Sequence, residues 1–177
     1  MAPDGRGFTL VELLVVISIL SLLAALVMPA TSRVRAYARR TQCLSNLGQL
    51  GKAVSLYADD HDHWYPCACS MPSSEPTPGL PGIHDLLVVH ASPEIFECPD
   101  DKATEPDYPF GSYFEGEGTS YEWFEVANHR KVGQPMRTGP IKLEAVPLLS
   151  DFEAFHKLGG SGMGINGLFP DGHVEGF

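Results

Sequence analysis

No basic side chain interrupts the 21 residues from Phe8 to Met28, where only Thr9, Glu12, Ser18 and Ser21 are polar. At ~1.5 Å per helical residue the run covers about 31 Å, enough to cross a hydrocarbon core of ~30 Å. It lacks a small-x-small cleavage site at its end, because Met28-Pro29-Ala30 puts proline in the wrong place, and this argues against a removed secretory signal. It also lacks a following cysteine, the first being Cys43, which argues against a lipoprotein signal. Positive charge is scarce farther on. Residues 59–177 hold six basic and twenty acidic side chains, a net −14 against +4 for residues 1–58. So acidic an outer part argues against nucleic-acid binding through phosphates.

Other absences narrow the chemistry. The four cysteines show no zinc-finger spacing. Asp59-Asp60-His61-Asp62-His63, with Cys67 and Cys69 close behind, has ligand-type side chains, but a calcium loop counted from Asp60 needs Glu where Met71 stands. That stretch reads as a solvated helix exit. The glycines from Gly159 to Gly164 precede no Lys-Ser/Thr pair and follow no strand, so they are no phosphate cradle. No nucleophile stands beside an evident base, and the chain reads as a non-enzyme.

What is present begins with Glu12. An ionised carboxylate in a membrane span costs on the order of 2.5 to 3.5 kcal/mol at mid-bilayer and less toward the edge, so it needs a partner. The polar leader ending Arg6-Gly7, followed by Phe8-Thr9-Leu10-Val11-Glu12-Leu13, resembles the N-terminal signal of type IV prepilins and of type II secretion pseudopilins. The resemblance implies cleavage at Gly7-Phe8 by a prepilin peptidase and N-methylation of Phe8. It further implies that Glu12 pairs with the terminal amine of a neighbouring subunit during assembly. Pro29 matches a position where that family's helix bends, as loss of one helix hydrogen bond would allow.

Beyond Pro29, Val34, Tyr37, Leu44, Leu47, Leu50, Val54 and Tyr57 recur at helical spacings, which predicts one long helix from about Phe8 to Ala58, loosened at Gly48 and Gly51. The segments expected are a leader (1–7), a transmembrane and filament-core helix (8–28), the outer half of the helix (29–60) and an acidic globular domain (61–177). Within that domain Ile83 to His90 reads as a short helix or strand sending Leu86, Leu87, Val88 and Val89 to the core. Ser112 to Phe114, Ser120 to Val126 and Ala145 to Asp151 read as strands, with Pro147 at an edge or early position. Ile165 to Phe169 and His173 to Phe177 read as a hairpin about Pro170-Asp171-Gly172. The fold class expected is α+β and pilin-like: a long N-terminal helix packed on a small antiparallel sheet with long loops.

Asp151, His156 and the stretch Asn166 to Val174 resemble a C-terminal processing-associated domain abbreviated His, nine residues, Asp-Gly, although here fourteen residues separate His156 from Asp171. The related major pseudopilins bind calcium near their C-termini, so the resemblance implies Ca2+ at Asp151, His156, Asp171 and His173. Four cysteines allow three pairings that sequence does not choose among; the resemblance implies a disulfide from Cys98 to Cys67 or Cys69, in keeping with an oxidising compartment, and reduced, buried thiols are the alternative. The function implied is that of a structural subunit of a membrane-rooted filament, most of all a type II secretion pseudopilin. A minor type IV pilin and a membrane-anchored periplasmic module that never polymerises are the alternatives. The partners implied are the prepilin peptidase, other pilin or pseudopilin subunits, the inner-membrane assembly platform and the membrane itself, with no nucleic acid. Arg33, Arg35, Arg39 and Arg40 against Arg6 would by themselves hold the C-terminal part in the cytoplasm. The resemblance places it in the periplasm, behind a single inner-membrane pass.

Overall fold

The computed structural model describes residues 8–72, 79–104, 107–134, 137–138, 141–142, 146–156 and 164–176, with backbone alone at 26–30, 137–138 and 141–142. Gly7, the side chain of Pro29, most of the proline-rich loop after Pro72 and most of the Gly159 to Gly164 run lie outside them. Two compact units divide the chain, Met1–Tyr37 and Ala38–Phe177. Helix α1, Leu10–Asp60, contributes to both.

In the first unit the helix begins at a capping box. Thr9 Oγ1 accepts from the Glu12 amide at 3.2 Å, and the Glu12 carboxylate accepts from the Thr9 amide at 2.9 Å and its hydroxyl at 2.7 Å. Ser18 and Ser21 return their hydroxyls to the carbonyls of Val15 and Ile17. Both serines are therefore satisfied without water. Leu, Val and Ile side chains from Leu10 to Leu23 stand exposed around the helix. Among the described residues no helix is long and apolar enough to cross a membrane. The apolar run with described side chains, the 16 residues from Leu10 to Ala25, would extend ~24 Å.

The second unit is built on the part of α1 from Ala38 to Asp60. Cys43, Leu47, Leu50, Ala53 and Val54 face inward at helical spacing and pack with Trp123, Leu149 and Leu168. Cys43 is buried while Leu44 is only half-buried, so Cys43 rather than Leu44 takes the inward position on that turn. Val34 and Tyr37, expected on that stripe, are exposed.

The sheet is antiparallel with order β1-β4-β5-β6, from Tyr121–Trp123 (β1), Leu149–Asp151 (β4), Asn166–Leu168 (β5) and Val174–Gly176 (β6). A second pair, Arg137–Thr138 (β2) and Ile141–Lys142 (β3), forms its own ribbon. Registers Trp123↔Leu149↔Leu168 align one apolar row, and Tyr121↔Asp151 lies two residues away on the same face. The core is consequently apolar toward Leu50 and Val54 and polar toward Cys43. Gly51 permits the close approach at the apolar end: a Cβ there would lie 2.8 Å from Leu168 Cδ1. It serves packing rather than loosening the helix.

Three local expectations are corrected. Ser112 to Phe114 is not a strand, because Tyr113–Glu117 forms helix α3. Ser112 Oγ accepts from the Glu115 amide, while Asp101 accepts from the amides of Tyr113 at 3.1 Å and Phe114 at 2.8 Å. These caps outweigh the strand preference of the aromatics. Ile83–Leu87 is helix α2, which ends before Val88 and Val89 and leaves both exposed while Ile83 and Leu87 reach the core. Ser120 to Val126 is strand only as far as Trp123, giving way to a 3-10 turn at Glu125–Ala127.

The closing hairpin forms as expected, with Gly172 at φ +86° in the turn. Asp171 accepts from the His173 amide at 3.1 Å and from His173 Nδ1, and the His173 ring stacks on Phe169 at 4.4 Å. These donors, the backbone amide foremost, hold the Asp171 carboxyl below the usual carboxylate range.

Leu168→Ala should lower unfolding free energy by about 2 to 5 kcal/mol. Gly51→Ala should destabilise the wild type but stabilise the Leu168→Ala variant by up to ~1 kcal/mol, since the clash is gone and the helix preference of alanine remains. Thermal midpoints of the four proteins in the cycle check both signs. The Asp171 folded-state pKa is depressed, so its contribution is fully present above about pH 4 and is lost as pH falls through the folded value. Carboxyl NMR titration should show a midpoint below that of an ordinary aspartate, moving upward in His173→Ala.

Candidate functional site

At the polar end of the core four ligand-type side chains meet. Cys43 comes from α1, Cys98 follows the 3-10 turn Pro93–Phe96, Asp151 ends β4 and His156 lies in the segment after it. Their ligand atoms all lie within 4.8 Å of one another, and all four residues are buried. The Cys43 thiol donates to Asp151 Oδ1 at 3.0 Å. Cys98 Sγ is 3.3 Å from His156 Nε2, and that nitrogen is 3.7 Å from Asp151 Oδ2.

Each member is held by its surroundings. Asp151 Oδ2 accepts from the Asn166 amide at 2.8 Å and its side-chain Nδ2 at 2.9 Å, which leaves Oδ1 for the helix side. Asn166 Oδ1 in turn accepts from Arg40 Nε at 3.1 Å. The Cys98 amide donates to Ser120 Oγ, whose hydroxyl donates to Asp101. Asn46 of α1 donates to the Glu97 carbonyl and ties the Cys98 segment to the helix. His156 Nδ1 faces Asp100 Oδ2 at 3.1 Å, and Arg39 pairs with Asp100 from the solvent side.

This environment shifts Cys43, Asp151, His156 and the neighbouring Tyr121. The hydrogen bond with Cys98, together with burial, pushes the Cys43 thiol up, so it stays protonated as a donor. Burial pushes the Asp151 carboxyl up against the pull of Cys43, Asn166 and His156. Burial lowers His156, but Cys43, Asp151 and Asp100 outweigh it and leave the imidazole raised. Burial and the neighbouring Cys43 push the Tyr121 phenol up, and its hydroxyl donates to Cys43 Sγ at 3.4 Å.

The structure divides the residues expected to bind calcium. Asp151 and His156 converge in the buried cluster, whereas Asp171 and His173 pair with each other on the exposed hairpin turn. Calcium prefers six to eight oxygen ligands, and a cluster of two sulfurs, one imidazole and one carboxylate does not fit it. The disulfide expectation is also corrected: all four cysteines are free, and Cys98 lies beside Cys43 rather than being joined to Cys67 or Cys69. Cys67 Sγ instead faces His129 Nε2 at 3.5 Å. Cys43 was hidden from sequence reasoning among the apolar residues of the helix. Its signal was its place four residues before Leu47, on the inward face.

At the N-terminus Glu12 is found in the capping box rather than as an unpartnered carboxylate, through the Thr-x-x-Glu spacing of Thr9 and Glu12. Gly7 lies outside the described residues, and Phe8 is exposed immediately before the cap.

Residues 4–28 match the family described as the prokaryotic N-terminal methylation motif. The chain is 32% identical over 62 residues to the type IV major pilin protein PilA of Myxococcus xanthus (strain DK1622), covering 35% of this chain and 28% of that protein. It is 29% identical over 127 residues to the type II secretion system core protein G of Pectobacterium carotovorum subsp. carotovorum, covering 72% of this chain and 71% of the relative. No solved structure matches it significantly. With its methylation motif, its long N-terminal helix and its small antiparallel sheet, the chain is a prepilin-like protein of pilin-like α+β architecture.

Proposed function

We propose that the chain is a structural, non-catalytic subunit of a membrane-rooted filament of the type II secretion kind. The observation that carries this reading is the methylation motif at residues 4–28, set directly on a helix whose apolar side chains are exposed on every side. Apolar surface of that extent needs lipid before assembly and neighbouring helices after it. The protein is accordingly anchored by residues 8–28 in the inner membrane, with the acidic domain in the periplasm. The match to core protein G supports the secretion type, since it extends over 72% of the chain while the match to PilA covers 35%.

Processing at Gly7-Phe8 by a prepilin peptidase would make Thr9 the second residue of the mature chain. The capping box would survive that cut, because all its atoms belong to Thr9 and Glu12. Glu12 then has two roles that can be separated: capping its own helix, and offering a negative charge to the methylated amine of another subunit, docked through the assembly platform. Glutamine serves the third helical position of a capping box as glutamate does, but carries no charge.

Glu12→Gln and Glu12→Ala should both insert in the membrane, and neither should enter filaments, as read by co-purification with a tagged wild-type subunit. Incorporation of Glu12→Gln at the wild-type level would contradict the charge pairing.

A further inference from the structure

We infer that Cys43, Cys98, Asp151 and His156 form a closed structural site for a tetrahedral thiophilic divalent metal, Zn2+ by its chemistry. This goes beyond the filament reading, which needs no metal. Four ligands at the ~2.0 to 2.3 Å typical of zinc lie about 3.3 to 3.8 Å apart around a tetrahedron. Within the cluster the 3.3 Å from Cys98 Sγ to His156 Nε2 and the 3.7 Å from that nitrogen to Asp151 Oδ2 fall in this range, the 3.0 Å from Cys43 Sγ to Asp151 Oδ1 is slightly shorter, and all four residues bring a ligand atom within 4.8 Å of the others. Little movement is needed to admit an ion.

Donor chemistry points the same way. Two sulfurs, an imidazole and a carboxylate suit zinc, whereas magnesium and calcium take oxygen. All four positions are protein side chains and all are buried, so no place is left for a reacting water and the site is structural. The outer shell is also of the kind that metal sites use. Asp100 fixes His156 through Nδ1 and presents Nε2 to the cluster, and Asn166 holds one oxygen of Asp151 with two hydrogen bonds.

Charge balance supports an ion here. A divalent cation with two thiolates, one carboxylate and a neutral imidazole leaves one negative charge, and Arg39 and Arg40 stand one contact away through Asp100 and Asn166. On binding, the two thiols release their protons and two metal–sulfur bonds replace the thiol hydrogen bonds. The ion would join α1, the Cys98 segment and the end of β4 at one point, the work expected earlier of a disulfide.

The test uses the full chain purified in detergent micelles. Metal analysis should find about one zinc per chain, and Co2+ in its place should give a thiolate-to-cobalt charge-transfer band with tetrahedral d–d absorption. Calcium in excess should displace neither. Cys43→Ser and Cys98→Ser should lose the band, Cys67→Ser should keep it, and Asp100→Asn should bind with roughly 10- to 100-fold lower affinity. Because the wild-type spectrum needs no variant to fold, absence of stoichiometric zinc and of the charge-transfer band in the wild type would overturn the site. So would recovery of Cys43 and Cys98 joined as a disulfide in the intact chain.

Discussion

Asp151 is a carboxylate at the end of an interior strand, only 1% exposed, and taking such a group out of water costs several kcal/mol unless donors surround it. The second unit is organised around supplying them. β5 turns Asn166 inward to donate twice, α1 brings the Cys43 thiol, and the segment after β4 folds back to place His156 beside it. The second carboxylate of this region, Asp100, is answered by Arg39 and His156. The same helix therefore supplies apolar packing at its Leu50 end and polar satisfaction at its Cys43 end, and the two requirements together set its register on the sheet.

The first unit solves a simpler problem. From Phe8 to Ala25 its polar side chains are turned back on the helix, Thr9 and Glu12 through the capping box, Ser18 and Ser21 through backbone carbonyls. What faces outward along that stretch is apolar. A helix of that kind is stable in lipid or among other helices, and its one carboxylate can exchange an internal donor for an external cation. In the proposed filament, that exchange would let Glu12 act at assembly rather than at insertion.

Much of this was legible in the sequence because local chemistry dictates it. The methylation motif, the long helix and the hairpin at Asp171-Gly172 depend on neighbouring residues, and they stand where the pattern put them. Where distant residues decide, reading failed. Asp101 caps α3 from twelve residues away and turns an apparent strand at Tyr113 into helix. The partnership of Cys43 with Asp151 spans 108 residues and leaves no spacing signal. Even so, Asp151 and His156 were recognisable as candidates, and only their company was not.

The most direct test of the filament reading is the mass of the mature N-terminus. In cells with a prepilin peptidase, the purified chain should begin at Phe8 carrying one methyl group on its amine. A chain that retains Met1, or one that begins anywhere other than methylated Phe8, would contradict it.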